Sequence, residues 1–488
     1  MHPFPSLHEI ASAEGTAVCL FESMLTKSQY VPETSYRVGP FTVDILRHKT
    51  RTIYSPRLTL GSTKDIDILR AALEAIEASH FVPRKFPRSL GDFIEMVQKE
   101  VAPLLCGCYL DPLLASRVVA YEYIGLTRLM PVFEDHLVDE LFVDDPLLPP
   151  YLEHRTHGRC DLGYSLTERE LESVRTHAEI YGGVSPSYRT PSIKTELHLG
   201  GVKLRVGLDT YPVAYTGFSL HIRKVGGNAL TLTALARGGD VPIEASSLLL
   251  ACLQNRLNVT IIGPSGSGKT TLLNALDMSI DPRLRRVYVE DAVESIDLAA
   301  WGFRQLKLRV PSIETGYDEG QNKLKEVLKT LHRSPDILIL GEVQDASHSS
   351  AMFQAAEAGI TGIQTFHSYS PEQSIRRWTS THGIQREQLA DLGVLATMVR
   401  ASPFSPRRQL VRISAILPSI QLIDIYRSEQ GVVFENLARL EQERNLANSS
   451  LHSSLEAFSK WLHRAFVEGF FDQNDFLEYA VSERPVTD

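Results

Sequence analysis

The chain has 488 residues, 43% of them hydrophobic and 22% charged, with a formal net charge of −9. This length allows about three domains with true cores, and the negative balance argues against a broad nucleic-acid or anionic-lipid surface, so no nucleic-acid partner is expected. Five cysteines are too few for a disulfide framework and point to a reducing cytosol; the first residues lack the basic start of a secretory leader, and no run approaches the ~18 apolar residues of a transmembrane segment.

Residues 1–115 read as a mostly helical N-terminal extension. Apolar positions recur at helical spacing over 66–78 and 90–105, and Pro83, Pro87 and Pro103 break the pattern. Cys106 and Cys108 have no further ligands at metal-site spacing and read as incidental thiols, while His154 and His157 read as a surface turn. Residues 116–228 read as an α+β N-terminal lobe. Within it, 166–183 predicts an amphipathic helix with Thr167 as N-cap, Glu170 as its capping-box partner and Gly182-Gly183 as the stop. Alternating segments at 194–208, turning at Gly200-Gly201, and at 218–225 predict strands. Gly226-Gly227 and the stretch 235–242 read as a hinge-bearing linker. From 229 to 430 helix and strand patterns alternate, as in a parallel sheet with crossover helices, and 431–488 reads as a helical C-terminal tail.

One stretch, 258–276, carries a specific chemistry: NVTIIGPSGSGKTTLLNAL. Gly263, four residues, then Gly268-Lys269-Thr270 is the spacing of a phosphate-binding loop. A β-branched run, Val259 to Ile262, leads into it, and a helical segment starting at Thr271 follows. That order matters because the helix N-terminus adds its positive dipole end to the site. Gly263, Pro264, Ser265, Gly266, Ser267, Gly268, Lys269, Thr270 and Thr271 form the candidate phosphate cradle, in which every residue but Pro264 offers a backbone N–H. Lys269 is the candidate cation at the β- and γ-phosphates, and Thr270 the candidate hydroxyl ligand of Mg²⁺. ATP and Mg²⁺ are the ligands this pattern predicts.

Hydrolysis needs a carboxylate at a nearby strand end. The apolar run 337–340 followed by Gly341-Glu342 supplies one, and Glu342 would also hold Mg²⁺ through water. Glu290, Asp291 and Glu294, after Val287-Tyr288-Val289, form a second acidic group. Clustered carboxylates raise one another's pKa and suit general-base work. His367 ends a short strand, 363–366; alone, such a histidine serves packing as readily as catalysis. The segment 324–336 predicts a helix that brings Arg333 toward phosphate or an adjacent subunit.

In this order, GPSGSGKT, the acidic box at Glu290-Asp291, SPDILILGE and the histidine box at His367 resemble the ATPase superfamily of type II and type IV secretion, pilus assembly and archaellum motors. The stretches 115–145, 216–224 and 299–305 are similar to the same family, so the resemblance spans roughly 115–430. It implies a RecA-like P-loop ATPase domain preceded by the α+β lobe. It also implies a homohexameric ring, and a polytopic membrane platform protein that holds the ring at the cytoplasmic membrane. The positions that match the family's phosphate-reaching arginines are Arg205 and Arg223. Two departures stand out. Val343-Gln344 follows Gly341-Glu342 where many relatives carry an arginine, and Ser368-Tyr369-Ser370 replaces a small-residue run after His367. An intact Lys269, Thr270, Glu290 and Glu342 favour an Mg²⁺-dependent ATP hydrolase; Gln344 is the argument for the alternative, a nucleotide-gated assembly scaffold with negligible turnover.

Overall fold

The run Phe41-Thr42-Val43-Asp44-Ile45 has the period of a strand, and Phe41, Val43 and Ile45 are fully buried. The computed structural model describes residues 17–18, 31–48, 51–59, 64–83, 85–183, 185–225, 229–290, 293–310, 327, 329, 333–400, 402, 407–446 and 450–485. They form two units, which divide in sequence between residues 227 and 228.

The first unit opens with an antiparallel meander, β1 (Val31–Val38), β2 (Phe41–His48) and β3 (Arg51–Thr59). This corrects the reading of 1–115 as mostly helical. The alternation was there to be read, but Thr, Arg and Asp between the apolar positions dilute it. The expected helices are present as α1 (Lys64–Ala78) and α2 (Leu90–Val101), the second started by a Ser89–Asp92 capping box. Next come α3 (Pro112–Tyr123), β4 (Val138–Val143), β5 (Tyr151–His154), β6 (Gly158–Leu162) and α4 (Glu168–Gly182). Then follow β7 (Ser192–Leu199), β8 (Val202–Thr210) and β9 (Phe218–Val225). The Thr167–Glu170 capping box starts α4 and the left-handed Gly183 ends it, as the sequence implies, and Gly200, at φ +56, turns the β7–β8 hairpin. The sheet order is β1-β2-β3-β6-β5-β4-β9-β8-β7, with Ala17–Val18 paired to β3. Because β3 pairs with β6, one sheet and one apolar core run across residues 115 and 116.

His154 is not on a surface turn. It is 2% exposed at the end of β5. Tyr36 on β1 donates to the Asp135 carboxylate at 2.6 Å, and its oxygen lies 2.9 Å from His154 Nε2. Burial pushes the imidazole pKa down to about 4, against the opposing pull of Asp135. The meander covers this histidine, so missing the meander at the sequence level meant missing the burial.

The second unit begins with α5 (Leu232–Gly238), whose left-handed Gly239 cap (φ +76) leads into α6 (Ile243–Gln254). The stretch 235–242 is thus a helix end and cap rather than a linker; Gly226-Gly227 lies outside the described residues. After α6 come β10 (Val259–Gly263), α7 (Lys269–Ser279), β11 (Arg285–Glu290), β12 (Arg304–Arg309) and β13 (Ile337–Val343). The unit continues with α8 (Ala346–Glu357), β14 (Thr361–His367), α9 (Pro371–Arg376), β15 (Val394–Arg400), β16 (Arg408–Ile416), β17 (Leu422–Arg427) and β18 (Gly431–Val432). It closes with α10 (Phe434–Glu443), α11 (Ser450–Glu468) and α12 (Gln473–Glu483). The sheet order is β12-β11-β13-β14-β10-β15-β16-β17-β18. Strands from β12 to β15 are parallel, and the rest antiparallel. The long α11 packs on α6, and Trp461 stacks on Tyr479 of α12 at 5.6 Å.

A fully buried ion pair ties α7 to the sheet. Arg286 Nε lies 2.8 Å from Asp277 Oδ1, and both side chains are 0% exposed. Arg286 also donates to the Leu284 and Ile280 carbonyls, while the Tyr288 hydroxyl donates to Asp277 Oδ2 at 2.7 Å. Close by, Arg484 beyond α12 donates to the Ser279 carbonyl at 3.1 Å. Such a pair is costly to break from one side because the remaining charge stays buried. Asp277→Ala is expected to lower unfolding stability by about 3–5 kcal/mol in a denaturant titration, and Asp277→Leu with Arg286→Met to recover most of it.

Candidate nucleotide site

All five residues of β10 are buried, and the chain leaves the sheet at Gly263. A Cβ at Gly263 would stand 2.4 Å from the Met398 carbonyl oxygen and 2.5 Å from Ser267 Oγ. Backbone passes too close there for any side chain. Gly266 and Gly268 adopt φ of +69° and +91°, which only glycine takes without strain. No side chain caps α7, so its first N–H groups are left to an anion. The Ser267 hydroxyl is buried and has no partner among the described residues. Both features fit a phosphate group held in the loop.

Lys269 is 7% exposed. Its Nζ donates to the Pro264 carbonyl at 2.8 Å and lies 3.3 Å from His367 Nδ1. His367 Nε2 stands 2.5 Å from Glu342 Oε1. On the other side, Gln344 Nε2 donates to Glu342 Oε2 at 2.6 Å. Lysine, histidine and acid therefore form one chain of polar contacts. The sheet makes this possible, since parallel strands deliver their C-terminal ends to one edge. His367 is the register partner of Gly263 on the adjacent β14, and β13, carrying Glu342, is next along. A register shift between Leu340 and Val343 reorients the end of β13 where Glu342 sits.

The second acidic candidate differs. Glu290 ends β11 and is 2% exposed. Its Oε1 accepts from the backbone N–H of Glu294 and Ser295, and its Oε2 from the Ser295 hydroxyl at 2.7 Å. Burial pushes this carboxyl up from its ordinary range, opposed by those hydrogen bonds and by Lys307. A Cβ on Gly341 would touch Glu290 Cγ at 3.4 Å, so the two acidic strands pack closely. Asp291 lies outside the described residues.

In the first unit, Arg223 on β9 and Arg205 on β8 are direct cross-strand partners. Arg223 Nε is 3.6 Å from Glu140 Oε1, and His221 Nε2 is 3.1 Å from Glu140 Oε2. Burial alone would raise the Glu140 carboxyl, but His221 and Arg223 hold it below its ordinary value. Arg333 is placed differently from its sequence reading. It sits in the turn before β13, at the opposite end of that strand from Glu342, roughly 20 Å away along seven residues of strand. Within one subunit it cannot meet a phosphate at the loop. The helix read over 324–336 lies largely outside the described residues.

Three further cations at the site escape the sequence motifs. Arg377 donates from Nη1 to the His367 carbonyl and lies over the Phe366 ring at 4.7 Å, fixing the end of β14. Cβ positions built on Gly266 and Gly268 would lie 3.3 Å from Arg400 Nη1 and 3.4 Å from Arg408 Cδ. These arginines belong to β15 and β16, over a hundred residues from the loop. Only the strand order, with β15 beside β10, could have revealed them.

Among the described residues no group of three or more histidine, cysteine or acidic side chains could hold a metal alone. The residues that would hold Mg²⁺ beside a bound phosphate are Thr270, second residue of α7, through its hydroxyl, and Glu342 through water.

Fold and site thus define a P-loop nucleotide-binding domain of the α/β class. Residues 189–409 match the family model described as type II/IV secretion system protein, the family that the motifs of this segment resemble. It is 26% identical over 264 residues to an uncharacterized protein of Methanocaldococcus jannaschii, covering 53% of this chain and 35% of that relative. It is 26% identical over 162 residues to VirB11 of Agrobacterium fabrum, covering 32% of this chain and 46% of VirB11. The chain therefore spans less than half the length of either relative. Among solved structures it is similar to the ATPase DotB of Legionella pneumophila, at 15% identity and a TM-score of 0.41, covering 70% of this chain and 90% of DotB.

The place of Lys269 at the loop lets its Nζ make a charge-assisted contact to a bound phosphate. Lys269→Ala is expected to weaken ADP binding by about ten- to a hundredfold, the loss for a hydrogen bond to a charged group. Isothermal titration calorimetry reads this directly, and unchanged affinity would remove Lys269 from the site.

Proposed function

We propose that the chain is an Mg²⁺-dependent ATPase motor that couples hydrolysis, in a hexameric ring, to protein secretion or to pilus or archaellum assembly at the cytoplasmic membrane. The observation that carries this reading is the Lys269–His367–Glu342 chain beside the phosphate loop. Lys269 binds the β- and γ-phosphates and Thr270 ligates Mg²⁺, which supplies charge neutralisation at the transferring phosphoryl group. Glu342 is the general base; it is within reach of water and held on the strand edge, whereas Glu290 is enclosed and already accepts three hydrogen bonds. His367 orients Glu342 and senses the phosphate through Lys269. Among the described residues no helix is long and apolar enough to cross a membrane, and the proposal places the ring on a polytopic platform protein. The competing reading is a nucleotide-gated scaffold, favoured by glutamine at position 344 in place of arginine.

Turnover separates the two readings. Steady-state phosphate release from Mg²⁺-ATP supports the motor, and none at saturating nucleotide supports the scaffold. Glu342→Gln is expected to bind ATP normally and lose about 10²–10⁴ in kcat. Glu290→Gln can keep its carbonyl oxygen on the two backbone N–H groups and donate its NH₂ to the Ser295 hydroxyl, so it loses only the charge assistance of those bonds and its chief effect is a lower unfolding midpoint, a cost of about 1 kcal/mol. A full-rate Glu342→Gln transfers the base role to Glu290.

Heterologous contacts that close give rings. Sedimentation velocity with a non-hydrolysable ATP analogue is expected to show a hexamer, and monomer at every concentration tested would count against the ring.

A further inference from the structure

We propose that Gln344 is a positioning residue for the hydrolytic step, holding the Glu342 carboxylate and the attacking water in line. This rests on the ATPase reading above and extends it to a residue that reading leaves unused.

The side chain of Gln344 is oriented by chemistry. A carboxylate only accepts, so the group donating to Glu342 Oε2 at 2.6 Å is the amide NH₂, and the amide carbonyl is turned away from the acid. The backbone is fixed as well. Gln344 N–H donates to His348 Nδ1 at 3.3 Å, and Asp345 caps α8 by accepting from His348 N–H at 2.8 Å. With His367 on Oε1 and Gln344 on Oε2, both oxygens of Glu342 are held by side chains. Only the base itself is then left to choose between a water and its neighbours, and its rotamer is set before water arrives. An arginine could grip Glu342 in the same way but has no acceptor. Glutamine has both. Its NH₂ fixes the base, and its carbonyl can accept one O–H of a water whose other proton faces Glu342. In the step, the water oxygen bonds to the γ-phosphorus and its proton passes to Glu342. The bond from that phosphorus to the β–γ bridging oxygen breaks, and its electron pair leaves with ADP. A glutamine that orients attacking water is a known device in phosphoryl transfer.

The test compares Gln344→Ala, Gln344→Arg and wild type in binding of Mg²⁺-ADP and of Mg²⁺-ADP with aluminium fluoride, which mimics the in-line transition state. Wild type is expected to bind the mimic tighter than ADP. For Gln344→Ala, ADP affinity should stay within about twofold while the extra affinity for the mimic falls by about tenfold or more. Its kcat should fall by about 10–100-fold at a KM within threefold. Gln344→Arg should keep Glu342 in place and recover only part. ADP affinity doubles as the check that Gln344→Ala is folded. Retention by Gln344→Ala of the full preference for the mimic, with kcat within about twofold, overturns the proposal. A wild-type chain that binds ADP but releases no phosphate overturns the ATPase reading instead, and this inference with it.

Discussion

Gly263 faces His367 across the β10–β14 ladder, and that register sets the rest of the site. With β10 placed between β14 and β15, the loop that leaves it must pass under the β15 backbone, which is why a Cβ at Gly263 would meet the Met398 carbonyl. The same placement puts His367 within reach of Lys269, and puts β13 one strand further out, where Glu342 meets the histidine. With β14 between them, β10 and β13 stand two strand spacings apart, about 9–10 Å, which is room for a phosphate and a water between loop and acid.

The phosphate loop, the apolar strand ending in Glu342 and the helix capped by Thr167 were legible because each is written in contiguous residues with a fixed spacing. What the sequence hid was written across strands. Arg400 and Arg408 reach the loop because β15 stands beside β10 and β16 beside β15. Arg333 reads as facing phosphate or an adjacent subunit from its nearness to Glu342 in sequence, but a strand intervenes and carries it to the far edge, away from the loop of its own subunit. His154 looked exposed since its cover, β1, comes from a meander more than a hundred residues upstream. Pairing between distant strands is a property of the whole chain, and a local window does not hold it.

The two acids show how equal residues acquire unequal work. Glu290 and Glu342 both end parallel strands, and their strands pack together through Gly341. Glu290 is enclosed and satisfied by the turn that follows it, so it serves as a buttress for residues 294–295. Glu342 faces side chains from its own turn and from β14, partners that can rearrange without unfolding the backbone.

Finally, α7 is gripped at its far end. Eleven residues give it a length of about 16 Å. At one end it presents bare N–H groups to the phosphates; at the other, the buried Arg286–Asp277 pair and the Arg484 contact to Ser279 hold its last turn. A rod clamped at one end and loaded at the other transmits displacement rather than absorbing it. Residue 484 lies more than two hundred positions from the loop in sequence, yet it is one helix length from it in mechanical terms. The C-terminal tail is thereby part of the stiffness of the nucleotide site, and a chain cut back before α12 would leave the same phosphate loop on a looser mount.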